Sequence, residues 1–190
     1  MYKQCQSEQA AARQRQLEQG LLEAMLRQQY DEISVSELCD RMGVPRKAFY
    51  RYFTGKDGAL YALIDHAIMD FDMYAGSAGA YGSAAPEVYI EKVFTFWVRN
   101  HKLLDALQRS GMSGILIQRA IAYTKQQNSL PSFLGNMDQT LRDYGTMFAV
   151  CGLMTMILQW HHSGFQPEVS KMSALALRLL REPLFTAPGQ

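Results

Sequence analysis

The sequence predicts an all-α fold, on two observations. No run of alternating apolar and polar residues is long enough to make a sheet, and apolar residues recur at steps of three and four through most of the chain. With 190 residues, 48% hydrophobic and 19% charged, the chain can bury a sizeable core as one or two domains. The net charge of +1 says little about partners, because an electrostatic footprint depends on where the charge sits. Residues 1 to 56 carry 9 Lys+Arg against 7 Asp+Glu (+2), and residues 57 to 190 carry 10 against 11 (−1).

A first helix is predicted over residues 9 to 29, with Leu17, Leu21, Leu22, Met25 and Leu26 on one face. Ser34 and Glu37 then have the spacing of a capping box, so a short helix starts near Val35 and buries Leu38 and Met42. Gly43 can take the positive φ of a sharp turn, Val44 can plug that turn, and Pro45 suits the first turn of a next helix. That second short helix, residues 46 to 53, divides cleanly. At about 100° per residue, Arg46, Lys47, Tyr50 and Arg51 share one face, while Ala48, Phe49 and Tyr52 turn inward with Phe53 closing the end. A further helix follows Thr54 and Gly55, with Lys56 at its anion-favouring N-terminus, and runs to Phe71. Residues 75 to 86 have the small side chains of a linker.

Beyond Pro86 the predicted helices are longer. Ile90, Val93, Phe94, Trp97, His101 and Leu104 read as one continuous stripe, residues 112 to 127 as another helix, and residues 128 to 136 as a loop. Residues 137 to 162 read as a long helix buried on most of its circumference, in a core or between subunits. SGFQP breaks it, and Val169, Met172, Leu175, Ala176, Leu179 and Leu180 line a last helix ending near Arg181.

Two short helices around a Gly-containing turn, the second with a basic face, are the arrangement that lays a recognition helix in the DNA major groove. Residues 33 to 64, ISVSELCDRMGVPRKAFYRYFTGKDGALYALI, resemble the DNA-binding region of the TetR (tetracycline repressor) family of transcriptional regulators, FYRYF followed by Lys56 being the most specific part. The closing segment from Phe148, with F…G…W…G…P-E before a final helix, looks like the last pair of helices in one branch of that family. The resemblance implies a helix-turn-helix at residues 34–53 within a DNA-binding domain of residues 1–56. Residues 57–190 would then bind an effector and dimerise through Tyr144 to His162 and Glu168 to Arg181. It implies that Tyr50, Arg51, Tyr52 and Lys56 contact phosphate and that Arg46 and Lys47 approach bases of a palindromic double-stranded operator, the chain acting as a ligand-responsive repressor. The two lines of reasoning part at Tyr52, inward on the wheel and outward by resemblance. This chain also departs from the family pattern at Pro45, at Lys47 and at Gly58-Ala59, where an acidic residue or Ala followed by Leu is usual.

Phe94, Trp97, His101, Tyr123 and Met147 are the candidate lining of an effector pocket, each alone also reading as ordinary core. Cys5, Cys39 and Cys151 are odd in number and far apart, which suits a reducing, cytoplasmic setting, and the polar N-terminus is not a secretory signal. Tyr144 to His162 lacks charge but is too diluted by polar residues and Gly to span a membrane. No metal or cofactor site is expected: adjacent His161 and His162 diverge on a helix, and G-x-x-G-x-x-G at residues 76–82 lacks a preceding strand. No hydrolase triad context is present, so the chain does not read as an enzyme. The competing reading is an all-α ligand-binding protein or enzyme in which the basic motif is non-functional.

Overall fold

The computed structural model describes residues 1–76, 85–127 and 138–182. Among them the chain forms α1 (Glu8–Met25), a 3₁₀ turn (Tyr30–Glu32), α2 (Val35–Arg41), α3 (Arg46–Tyr50), α4 (Lys56–Ala75), α5 (Pro86–Arg99), α6 (His101–Arg109), α7 (Ser113–Gln127), α8 (Gln139–His162) and α9 (Val169–Arg181). No strand occurs among the described residues, so the class is all-α as expected. The predicted loop at 128–136 and all but the ends of the linker at 75–86 lie outside the described residues.

Packing divides the chain into two compact units, Met1–Met69 with Lys102–Arg119, and Asp70–His101 with Ala120–Gln190. The division falls inside α4, after the first residue of α6, and inside α7.

In the first unit, α1 starts on Ser7, whose hydroxyl accepts from Ala10 N at 3.3 Å, and buries Leu17, Leu21, Leu22 and Met25. Leu38, Phe49, Phe53, Leu60, Ile64, Leu104, Leu107 and Leu116 supply buried residues from α2, α3 and its end, α4, α6 and α7. This unit also carries buried polar groups. Glu18 Oε2 lies 2.9 Å from His66 Nδ1, and Asp65 takes both Arg119 Nε at 2.6 Å and Arg119 Nη2. Arg119 in turn lies over the Tyr61 ring, and its guanidinium is held charged by the bonded carboxylate.

Cys39 is fully buried, and that burial pushes its thiol up from its ordinary range. A thiol-alkylating reagent is expected to modify Cys39 far more slowly in the native protein than after denaturant is added. Equal labelling rates, read by peptide mass spectrometry, would contradict the packing of α2.

In the second unit, α5 lies along α9, and α8 joins both. Ile90, Val93, Phe94 and Trp97 of α5 are buried with Ile157 and Trp160 of α8 and Met172 and Ala176 of α9. Phe94 meets Trp160 edge-on at 5.4 Å, and the Trp160 indole donates to the Pro167 carbonyl at 2.6 Å, which fixes the turn that ends α8.

Two expectations change. The stripe from Ile90 to Leu104 is not one helix: α5 stops at Asn100, whose side-chain amide bends back to donate to the Phe96 carbonyl at 2.9 Å, and α6 starts afresh. The apolar spacing survives the break, so periodicity did not reveal it. Nor does α8 lie in a core within one chain, where its buried residues are Thr146, Ile157 and Trp160. Leu141, Tyr144 and Phe148 are 54%, 74% and 66% exposed, and the same stripe continues through exposed Gly152, Thr155 and Gln159. No described helix is long and apolar enough to cross a membrane.

Candidate nucleic-acid interface

The site is built from local signals upward. Ser34 accepts from Glu37 N at 3.1 Å and starts α2. The return half of the expected capping box is missing there, because the Glu37 carboxylate instead meets Arg41 one turn on, at 2.8 Å. A capping box does form one turn of chain earlier, between Gln29 and Glu32. Gly43 has φ of +62°, the left-handed value the sharp turn needs, and Val44 behind it is buried. Pro45 is the residue before α3, with ψ of 139°, so it sets the entry to the helix from just outside it.

Helix α3 is anchored from beneath. Phe49 and Phe53 are buried with ring centroids 5.0 Å apart, and Tyr52 joins them at 6.2 Å from Phe53. Tyr52 is only 9% exposed, the placement given by the helical wheel. Opposite, Arg46, Lys47, Tyr50 and Arg51 are all exposed. Arg46 is steadied by Ser36 of α2, its Nη1 donating at 3.1 Å. The result is a rigid aromatic base presenting three cations and a phenol on one surface.

Lys56 is engaged within the fold. Its ammonium donates to the Tyr30 carbonyl at 2.5 Å and lies 4.3 Å from the Tyr30 ring centroid. The Tyr30 hydroxyl donates to Asp57 at 2.6 Å, and burial together with that bond raises its pKa well above the usual phenol. Lys56 and Asp57 thus grip Tyr30 from both ends and fix the start of α4 to the turn that follows α1.

Of the candidate effector residues, Phe94 and Trp97 share the buried face of α5. The Trp97 indole N–H is buried with no hydrogen-bond partner, one of the few such side-chain atoms among the described residues. Tyr123 donates to Asp72 at 3.1 Å, Met147 is half-buried on α8, and His101 opens α6 as an exposed residue. No group of three or more His, Cys, Asp or Glu side chains suited to a metal occurs among the described residues.

Sequence reasoning missed the polar cluster of Tyr2, Glu18, Asp65, His66 and Arg119. One signal was available: Gln14 and Glu18 interrupt the apolar face of α1, and both are buried. Polar residues on a buried helix face require partners.

Compared with known families, residues 20–63 match the profile described as bacterial regulatory proteins, tetR family. Residues 20–63 thus carry the N-terminal segment of that family. Solved structures extend the fold likeness to the rest of the chain. The fatty acid degradation regulator FadR from Bacillus halodurans is 14% identical, with a TM-score of 0.66 over 95% of this chain and 98% of that one. The dihydroxyacetone kinase operon activator DhaS is 12% identical, at 0.58 over 88% and 93%. A tetR-family transcriptional regulator from Streptomyces coelicolor is 17% identical, at 0.55 over 87% and 78%. No curated protein matches the sequence. The chain therefore has the fold of a DNA-binding transcriptional regulator, a tetR-type helix-turn-helix followed by a larger helical region.

Proposed function

We propose that this protein is a homodimeric, ligand-responsive transcriptional repressor that binds a palindromic operator in the cytoplasm and has no enzymatic activity. The observation that carries the reading is the exposed face of Arg46, Lys47, Tyr50 and Arg51 over the buried Phe49 and Phe53. Residues 1–56 would bind DNA and residues 57–190 would bind effector and dimerise, a division of labour along the chain rather than of its compact units. Each subunit inserts α3 in the major groove, so two-fold symmetry requires half-sites separated by about 34–36 Å or a multiple of it. Arg46 and Lys47 approach bases, while Arg51 and the hydroxyl of Tyr50 contact phosphate. Tyr52, being buried, and Lys56, half-buried and bonded to the Tyr30 carbonyl, position the helix and leave the phosphates chiefly to these neighbours.

The dimer would form through α8 and α9, where the exposed Leu141, Tyr144 and Phe148 are joined by exposed Leu175 and Leu180. The effector would lie among Phe94, Trp97, His101, Tyr123 and Met147. The unpartnered Trp97 N–H favours a largely apolar molecule carrying a hydrogen-bond acceptor. To act, it must bind more tightly to the conformation whose recognition helices are wrongly spaced.

Selection of bound duplexes from a random pool tests the reading, with a palindrome as the expected result and no enrichment as the result that overturns it. On the selected duplex, Arg46→Ala or Lys47→Ala should cost about 1–3 kcal/mol and relax preference at one base position. Equal losses on selected and random DNA would remove the base-reading role. Reporter expression with and without the gene gives the sign of control; a rise on deletion marks repression.

A further inference from the structure

Residues Met1 to Lys3 lie against the chain that leaves the recognition helix. Tyr2 pairs antiparallel with Phe53 in an isolated β-bridge. The Lys3 N–H donates to the Tyr52 carbonyl at 2.9 Å, and the Met1 carbonyl accepts from Thr54 N at 3.1 Å and from the Thr54 hydroxyl at 2.9 Å. All these contacts land on Tyr52, Phe53 and Thr54. The other side of the segment is fixed to α1 and α4: the Tyr2 hydroxyl donates to Asp65 at 2.7 Å, its ring stands edge-on to His66 at 5.7 Å, and the Lys3 carbonyl accepts from Gln14 at 3.2 Å.

Gly58 makes room for this arrangement. A Cβ there would stand 2.3 Å from the Met1 carbonyl oxygen and 3.1 Å from its carbon, so any side chain would expel Met1. No positive φ is recorded at Gly58, so its backbone makes no demand for glycine, and glycine is a weaker helix former than alanine. The departure from the family pattern at Gly58 thus has a local cause, the close approach of the N-terminal segment.

We propose that Met1–Lys3 act as a strap that sets the pose of the recognition helix on DNA, with Tyr2 as its anchor and Gly58 as its seat. This is a positioning role and rests on the DNA-binding reading above. Helix α3 has only 5 residues and cannot hold its own pose. Its N-terminal end is set by the Gly43 turn and the Ser36–Arg46 bond; its C-terminal end is set by Phe49, Phe53 and the strap. Base reading tolerates displacements of only about 0.5 Å, so a loosened end degrades recognition before it degrades the fold.

Gly58→Ala, in the full chain, isolates the effect because it alters no charge and no DNA-facing residue. Thermal stability and helix content are expected to hold, while hydrogen exchange at Lys3, Thr54 and the adjoining amides of α3 rises by about tenfold or more. Affinity for the selected duplex should fall about tenfold or more, and affinity for random DNA by less than about twofold. Tyr2→Phe, which keeps the ring and loses only the bond to Asp65, should move both readouts in the same direction by less. The pair Gly58→Ala and Tyr2→Ala should be no worse than the more severe single change, since both release one strap. Unchanged exchange across α3, or equal losses on selected and random DNA, overturns the positioning role. If the unaltered protein binds no duplex, the DNA-binding reading falls, and the exchange measurement still decides whether the strap orders α3.

Discussion

Phe148→Asp is expected to convert the proposed dimer to a monomer. Phe148 lies at the middle of the exposed apolar stripe on α8, between Tyr144 and Gly152. In an interface with two-fold symmetry each change counts twice, so two carboxylates would lose water at the patch centre. Central aromatic residues of this kind contribute about 2 kcal/mol or more each, so the two copies together correspond to roughly a thousandfold rise in the dimer dissociation constant. Sedimentation velocity reads the change directly. Circular dichroism should not move, because the side chain is 66% exposed in the isolated chain and supports little of its fold. Operator affinity should drop toward that of a single half-site. A variant that sediments like the unaltered protein would remove α8 from the interface.

Arg119→Leu should destabilise the first unit by about 3–5 kcal/mol, because it strands the buried Asp65 carboxylate with Tyr2 as its remaining recorded partner. The double change Asp65→Leu with Arg119→Leu should recover a large part of that loss, since two apolar side chains of moderate size can replace a buried pair at little cost. Urea unfolding midpoints of the two variants separate the cases. If single and double variants lose equal stability, the ion pair is not what holds α7 to α4.

The helix-turn-helix was legible because its signals are short-range. Ser34, Gly43 and the spacing of Phe49 and Phe53 each act within a few residues of where they stand, and each appears in the structure in that role. The strap was not legible, because its bonds join residues 53 and 63 positions apart and nothing in the N-terminal sequence announces a strand. For α8 the sequence left two settings open, a core or a subunit interface. Composition reports that a helix face avoids water, and it does not distinguish a face covered by its own chain from one left open. At Tyr52 the wheel and the family pattern disagreed; the structure follows the wheel, with the ring packed on Phe53 and only 9% of the residue exposed. Lys56 shows the opposite limit. Its position at the start of α4 was right, and its partner, the carbonyl of Tyr30, could not be read from a residue 26 positions away.

A recognition helix of little more than one turn has no standing apart from what lies beneath it. The information by which such a protein tells one operator from another is therefore stored partly in residues that never meet DNA. Over evolutionary time, drift at Phe49, Phe53, Tyr2 or Gly58 would re-aim the same Arg and Lys side chains at different base pairs. Two descendants with identical groove-facing residues could in this way come to control different genes.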